Sequence, residues 1–255
     1  MKTAFSQRHP YGAAIISGLL CTLFTALGMA IPQIFGLDEM LTITVMTIAV
    51  AVSAAIGILI MKKSRFTIAE YGFNKYLSKN TNKVWFYIPL IVIELIPIIV
   101  YGFNNKISAP MYIMIALFTI SVGFNEEIYF RGLAFKFISD RGVKKAIIWS
   151  SVIFGILHIA NALNGKDLPY IILQVSFAFL IGFVFAEIVS ITKSIWVVII
   201  CHFAHDFISM STGETLDRNA IIILAVQTVI LLIYAIVLWK TGIEKNIDTN
   251  RPKSV

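Results

Sequence analysis

Charged residues are scarce in this 255-residue sequence: Asp, Glu, Lys and Arg make up 14% of it, and hydrophobic residues make up 58%. A soluble domain carries about 25% charged residues, so this chain has too few to cover a surface in water. The same composition excludes a disordered chain and a coiled coil. The mean hydropathy of +0.84 therefore predicts a membrane protein that crosses the bilayer several times.

Cysteine is almost absent as well. Only Cys21 and Cys201 occur, both inside apolar runs, which excludes a disulfide framework and favours small apolar packing residues. The sequence also lacks the alternating segments of about ten residues that form membrane barrels. We therefore expect an all-α fold, a polytopic bundle of transmembrane helices.

Eight apolar segments qualify or nearly qualify as spans. A bilayer core of roughly 30 Å needs a helix of about 20 mostly apolar residues. The predicted spans are residues 12–35, 40–61, 85–103, 110–137, 144–163, 170–190, 194–212 and 219–240.

Basic residues predict the orientation of these spans. Eighteen of the 21 Lys and Arg residues fall on one side, and Lys106, Lys166 and Arg218 fall on the other. The positive-inside rule then places both termini in the cytoplasm, at the anionic face of a cell membrane. Basic residues scattered over short loops do not favour nucleic-acid binding. The compact chain shows no organellar or retention signal, and we interpret it as bacterial.

Charged and histidine side chains nevertheless occur inside the predicted spans. An ionised side chain at the bilayer centre costs about 2.5–3.5 kcal/mol on insertion scales, so such residues usually face a cavity or one another. Most of them fall in the second half of the chain, which predicts a functional site there. The candidates are Glu94, Glu126, Glu127, Arg131, His158, Glu187, His202, His205 and Asp206.

Span four contains two adjacent acids and one base. Glu127 and Arg131 are four residues apart and share a helix face, with the acid before the base in the favourable order. Glu126 is rotated by about 100° from Glu127 and needs a different partner. A structural clasp between Glu127 and Arg131 is one interpretation, but it leaves the second acid unexplained.

Spans five and seven carry the remaining polar residues. Phe154 and His158 lie one turn apart in span five, as do His202 and Asp206 in span seven. A lone membrane histidine often only forms a hydrogen bond between helices, which is the alternative for His158. Together with Glu126, however, these side chains supply what hydrolysis needs: a base that takes a proton from water and groups that stabilise a tetrahedral oxyanion.

Three further residues are weaker candidates. His205 is about 60° off the face of His202, Glu94 stands alone in span three, and Glu187 lies near the end of span six. We expect His205 to support the site or to pack. Glu94 is expected to line a cavity or to pair with a base on another helix, and Glu187 to be structural.

Three motifs resemble the CPBP family, which comprises the type II CAAX prenyl proteases and the related bacteriocin-processing and self-immunity (Abi) proteins. They occur in family order over about residues 110–212. The motifs are Glu126-Glu127-x-x-x-Arg131, Phe154-x-x-x-His158 and His202-x-x-x-Asp206. The resemblance divides the chain into variable spans with a basic cytoplasmic link (1–109), a catalytic core of spans four to seven (110–212), and span eight with a cytoplasmic tail (213–255).

This resemblance implies an intramembrane endopeptidase whose substrate is membrane-associated, prenylated or a peptide precursor. Glu126 corresponds to the residue that activates water, with His158 beside it, and His202 and Asp206 correspond to the pair that stabilises the oxyanion. Supporting positions are Glu127, Arg131 and Phe154. Many relatives have Asn in place of Asp206. Because ionised Asp only accepts hydrogen bonds, Asp206 is either protonated or orients His202.

The cofactor is left open by the sequence. The family is often described as metalloproteases, and Glu126, His158, His202 and Asp206 are side chains of the kinds that bind zinc. The sequence has no His-Glu-x-x-His helix, however, and water activation by a Glu and a His needs no metal.

Two other functions are compatible with the same spans. A noncatalytic immunity or regulatory protein would use the scaffold to bind a peptide or a partner protein, with the motif residues acting structurally. A proton-coupled transporter would use Glu94, Glu126 and His158 as a relay, but it predicts inverted repeats, and none is visible.

Counting along the spans places the motif residues at different depths. His158 lies about 20 Å along span five, and His202 about 10–12 Å along span seven. We therefore expect span five to tilt or to extend beyond the headgroups, beside a water-filled cavity open to the cytoplasm.

Overall fold

A computed structural model describes residues 5–74, 84–160, 168–212 and 218–244. These residues are mainly helical. The β pairing among them is one isolated antiparallel bridge between Phe103 and Thr212. The predicted all-α membrane bundle is confirmed.

Eight helices coincide with the eight predicted spans. Two of them, α4 and α8, are α-helices that continue as π-helix, over Ile128–Ala134 and Trp239–Glu244. The bounds are α1 Pro10–Phe35, α2 Glu39–Lys63, α3 Ile88–Tyr101, α4 Ala109–Ser139, α5 Val143–Leu157, α6 Leu168–Thr192, α7 Trp196–Ser211 and α8 Arg218–Glu244.

Six of these helical segments are long and apolar enough to cross a membrane, when α5 is counted with the 3₁₀ turn that continues it to Ala160. This refines the predicted count of eight. The exceptions in the described chain are α3 and α7, with 14 and 16 residues. α3 follows a 3₁₀ turn at Val84–Tyr87 and stops at Gly102, which has a positive φ of 68°. Both short helices are apolar and contribute to the bundle.

The bundle has a basic end, which we define as residues 62–74, 136–145, 193–195 and 239–244. Ion pairs Arg65–Asp140, Lys136–Glu70 and Lys144–Glu244 join these segments. The backbone and side chain of Thr67 donate hydrogen bonds to Glu70 and lower the pKa of that exposed carboxyl.

The opposite end of the bundle comprises residues 36–38, 102–108 and 211–212. Here the backbone amide of Asn104 donates to the Ser211 carbonyl at 2.9 Å, next to the bridge between Phe103 and Thr212. Several basic residues used to predict the orientation lie outside the described residues. These are Lys2, Lys75, Lys79, Lys83, Lys166, Lys245, Arg251 and Lys253.

α7 begins deep inside the bundle, which accounts for the unequal depths counted from the sequence. The backbone amide of Ile195 donates to the Gly72 carbonyl at 2.9 Å. These two segments of the basic end therefore fold inward as far as the start of this helix. Trp196, its first residue, contacts Phe124 at 6.3 Å between ring centroids. Phe124 is 15 residues before Ser139, where α4 ends. His202 therefore reaches mid-bundle after only six residues of α7.

The half of the bundle near the basic end is a packed core. Met61, Leu133, Ile138 and Ile195 are completely buried there, and Tyr71 is nearly so. Large apolar side chains cover the outer surface of the helices, as a bilayer requires. Examples are Ile16, Leu59, Ile99, Ile200 and Ile233.

Candidate active site

A cavity of about 350 Å³ lies between the helices and contains five of the seven predicted site residues. They are Glu126, Phe154, His158, His202 and Asp206. A second cavity of about 330 Å³ lies against α1. Glu126 and His158 line both cavities, so these two residues lie where the cavities meet.

The other two predicted residues form a buried chain behind the cavity wall. Glu127 Oε1 accepts a hydrogen bond from Arg131 Nη1 at 3.0 Å and another from His202 Nδ1 at 2.8 Å. Glu127 is 0% exposed and Arg131 is 2% exposed. The predicted Glu127–Arg131 pair is therefore present, and it holds the imidazole of His202 from the side away from the cavity.

His202 presents its second nitrogen to the cavity between two acids. Its Nε2 lies 3.7 Å from Glu126 Oε2 and 3.6 Å from Asp206 Oδ2. Oε2 of Glu126 is buried and has no hydrogen-bond partner. An incoming group placed between these atoms would therefore meet a carboxylate and an imidazole together.

The orientation of His158 follows from its place at the end of α5. It follows Leu157, and its Nδ1 lies 2.8 Å from the Phe154 carbonyl oxygen. Because a carbonyl only accepts, Nδ1 carries the proton, and Nε2 of the neutral ring is left with a lone pair. His158 can thus accept a hydrogen bond from a water molecule in the cavity.

Phe154 is the aromatic centre of the site. Its ring centroid lies 4.2 Å from Cζ of Arg131, 4.4 Å from the ring of His158 and 6.2 Å from that of His202. A cation over an aromatic face is stabilised by the ring quadrupole. Phe154 therefore holds the guanidinium and both imidazoles in one arrangement.

Comparison with known families connects this arrangement to a protease group. Residues 106–208 match the family model described as type II CAAX prenyl endopeptidase Rce1-like. This region belongs to the CPBP/CAAX protease family. Comparisons with curated proteins and with solved structures found no match. The match to the CAAX protease family supports an intramembrane endopeptidase in general. The matched residues contain all seven predicted site positions.

Two glycines allow the helices of the CAAX protease region to approach closely. A Cβ on Gly123 would lie 3.0 Å from the Phe203 amide nitrogen and 3.2 Å from the Ile199 carbonyl oxygen, so glycine lets α4 meet α7. A Cβ on Gly155 would lie 2.9 Å from that of Phe179. Glycine at position 155 therefore lets α5 meet α6.

Glu94 and His205 form a second acid–histidine pair in the same cavity. His205 Nδ1 lies 3.0 and 3.3 Å from the two carboxylate oxygens of Glu94, and its ring stacks on Phe177 at 5.0 Å. The sequence suggested that Glu94 pairs with a base on another helix, and that base is His205. Sequence reasoning did not single out Gln174 and Gln227, which also line the cavity.

We expect the Glu94–His205 pair to stabilise the contact between α3 and α7. A double-mutant cycle with Glu94→Ala and His205→Ala should give a coupling energy of about 0.5–3 kcal/mol, the range for residues in direct contact. Unfolding of the purified protein in detergent measures it. Additive effects of the two substitutions would contradict the pairing.

Glu187 lies outside the cavity, in the packed core. It is completely buried, and neither carboxylate oxygen has a hydrogen-bond partner. The sequence predicted a structural role for Glu187, and a position close to the end of α6 would ordinarily lie near water. The burial shows instead that this part of the helix is enclosed by protein.

The residues considered for zinc do not form a metal-binding group. Within the described parts of the chain, no set of three or more His, Cys, Asp or Glu side chains is arranged to hold a metal ion. The same cavity holds Glu126 and His158, which can transfer protons without a metal.

Proposed function

We propose that the protein hydrolyses a peptide bond in its central cavity, using water activated by Glu126 and His158. The observation that carries the proposal is the convergence of Glu126, His158 and His202 from three helices on one cavity. Residues 126, 158 and 202 are far apart in sequence, so packing alone does not require them to meet.

Glu126 acts as the general base in this proposal. Its unpartnered Oε2 takes a proton from water, while Nε2 of His158 accepts the other hydrogen bond and orients the water. The water oxygen attacks the carbonyl carbon, and the carbonyl π electrons move to oxygen. The transferred proton is then held by Glu126.

His202 stabilises the tetrahedral oxyanion. Its Nδ1–H donates to Glu127, so the protonated ring directs Nε2–H into the cavity. The buried Glu127 carboxylate stabilises this imidazolium, and Arg131 keeps Glu127 in place. When the C–N bond breaks, Glu126 returns its proton to the amine nitrogen. The products are an amine and a carboxylic acid, which releases its remaining proton to water, and the side chains return to their initial state.

The role proposed for Asp206 differs from the two considered from the sequence. Glu127, rather than Asp206, makes the hydrogen bond that orients His202. Asp206 Oδ2 lies 3.6 Å from Nε2 of His202 and faces the cavity. We infer that Asp206 favours the protonated form of His202 by its negative charge.

Comparative peptidomics tests the proposed activity. Cells that produce the wild-type chain should accumulate cleaved peptides that are missing from cells with Glu126→Ala at equal protein abundance. An identical peptide pattern in both strains would overturn the proposed hydrolysis and favour a noncatalytic immunity or regulatory role.

Chelation gives a further expected result. Because no step uses a metal, 1,10-phenanthroline should change the cleavage rate in detergent by no more than about twofold, whereas loss of a catalytic zinc removes its activated water. The test follows cleavage of a peptide identified by peptidomics. Loss of activity that added zinc restores would contradict the metal-free mechanism.

A further inference from the structure

The cavity at the proposed site extends away from the basic end of the bundle. Beyond the site itself, its walls reach toward the opposite end. The lining residues there include Gln33 of α1, Met46 of α2, Pro97 of α3, Phe118 of α4, Gln174 of α6, Met210 of α7 and Ala220 of α8. None of the described residues that line either cavity belongs to the basic end.

The basic side of the site is closed by protein. The link that contains Tyr71 and Gly72 packs against Ile195, immediately before α7. Leu133 and Ile138 of α4 lie between the site and the basic end, and both are completely buried. Among the described residues, the route left for a substrate therefore lies toward the opposite end.

The distribution of charge assigns these ends to the two sides of the membrane. Among the described residues, Lys106 and Arg218 lie toward the opposite end. The basic end holds Lys62, Lys63, Arg65, Lys136, Arg141, Lys144, Lys145, Lys193 and Lys240. The positive-inside rule makes the basic end cytoplasmic. The sequence predicted both cytoplasmic termini and a cavity open to the cytoplasm. These two predictions are not compatible here, because the cavity extends away from the basic end.

We propose that the cavity opens to the extracytoplasmic side and takes exported peptides or the extracytoplasmic ends of membrane segments. This inference rests on the proposed function for its substrate class, and on charge and packing for its side. It excludes prenylated proteins that approach from the cytoplasm. This proposal replaces the predicted cavity open to the cytoplasm.

The depth of the site adds a requirement on the substrate. His202 is nine residues from Ser211 at the opposite end of α7, which corresponds to about 14 Å. An extended peptide spans about 3.3 Å per residue, so about four residues must enter to reach the site. The segment that is cleaved is therefore extended and separated from any folded part.

Labelling of single cysteines tests the side of the cavity without depending on activity. In a background with Cys21→Ala and Cys201→Ala, Ser209→Cys places a thiol on the exposed cavity wall near the opposite end. A membrane-impermeant maleimide should label this variant in intact bacterial spheroplasts. Lys63→Cys, at the exposed basic end, should react only after permeabilisation. Lys106→Cys gives a second probe on the loop of the opposite end.

The outcomes separate the two proposals. Labelling of Lys63→Cys in intact spheroplasts, with Ser209→Cys and Lys106→Cys protected until permeabilisation, would overturn the extracytoplasmic assignment. A Ser209→Cys variant that stays unreactive after permeabilisation would overturn an open cavity. If labelling agrees with the assignment but a peptide supplied outside right-side-out vesicles is not cleaved, the side is established and the proposed proteolysis fails.

Discussion

Replacing Glu126 by Gln is expected to lower the cleavage rate by about 10²–10⁴-fold, the usual contribution of a general base. The substitution keeps the size of the side chain but removes the carboxylate beside His202 that takes the proton from water. It also leaves the Glu127–Arg131 pair intact. Turnover of an identified peptide by purified protein measures the effect.

Glu187→Gln provides a matched control for this result. The substitution is chemically identical, and Glu187 is also a buried acid of a membrane helix, but it does not line the cavity. Its cleavage rate should remain close to that of the wild type. Equal losses in both variants, with equal thermal unfolding temperatures, would show that Glu126 has no special role as a base.

Replacing Arg131 by Met is expected to lower the free energy of unfolding by about 3–5 kcal/mol, as for a buried ion pair that loses one partner. Both side chains of the pair are almost completely buried, so the substitution leaves the Glu127 carboxylate without its cation. His202 also loses its fixed orientation, and cleavage should fall with stability. Unfolding in detergent measures the first effect.

Two comparisons make this prediction specific to the buried pair. Arg65→Met removes a cation from an ion pair whose side chains are about half exposed, and it should change stability by less than about 1 kcal/mol. Adding Glu127→Gln to Arg131→Met should recover part of the lost stability, because no unpaired charge remains. Similar losses at Arg131 and Arg65 would contradict the importance of burial.

Helical periodicity was sufficient to predict contacts within one helix. The four-residue spacing of Glu127 and Arg131 predicted their pair. The same spacing placed Phe154 and His158 one turn apart, where their rings are in contact. Both contacts follow from the shape of the helix alone. The eight apolar runs likewise predicted eight helices, although two are shorter than a full span.

Contacts between helices were not predictable in the same way. The hydrogen bond from His202 to Glu127 joins residues 75 positions apart. The sequence offered orientation of His202 only as one of two alternatives for Asp206, and it did not connect Glu127 with His202. The deep start of α7 depends on Gly72 meeting Ile195 across the basic end. Such contacts are set by packing of distant segments, which periodicity along one helix does not describe.

The π-helical stretch Ile128–Ala134 has a consequence for the phase of α4. π-helices in proteins occur mostly as single wide turns within α-helices, often at functional sites. The wide turns follow Glu127 directly and contain Arg131. They change the angle at which Phe137 and Ile138 leave the helix axis relative to Glu127. One insertion in the helical register thus lets the same helix direct its acids to the site and its apolar residues to the core.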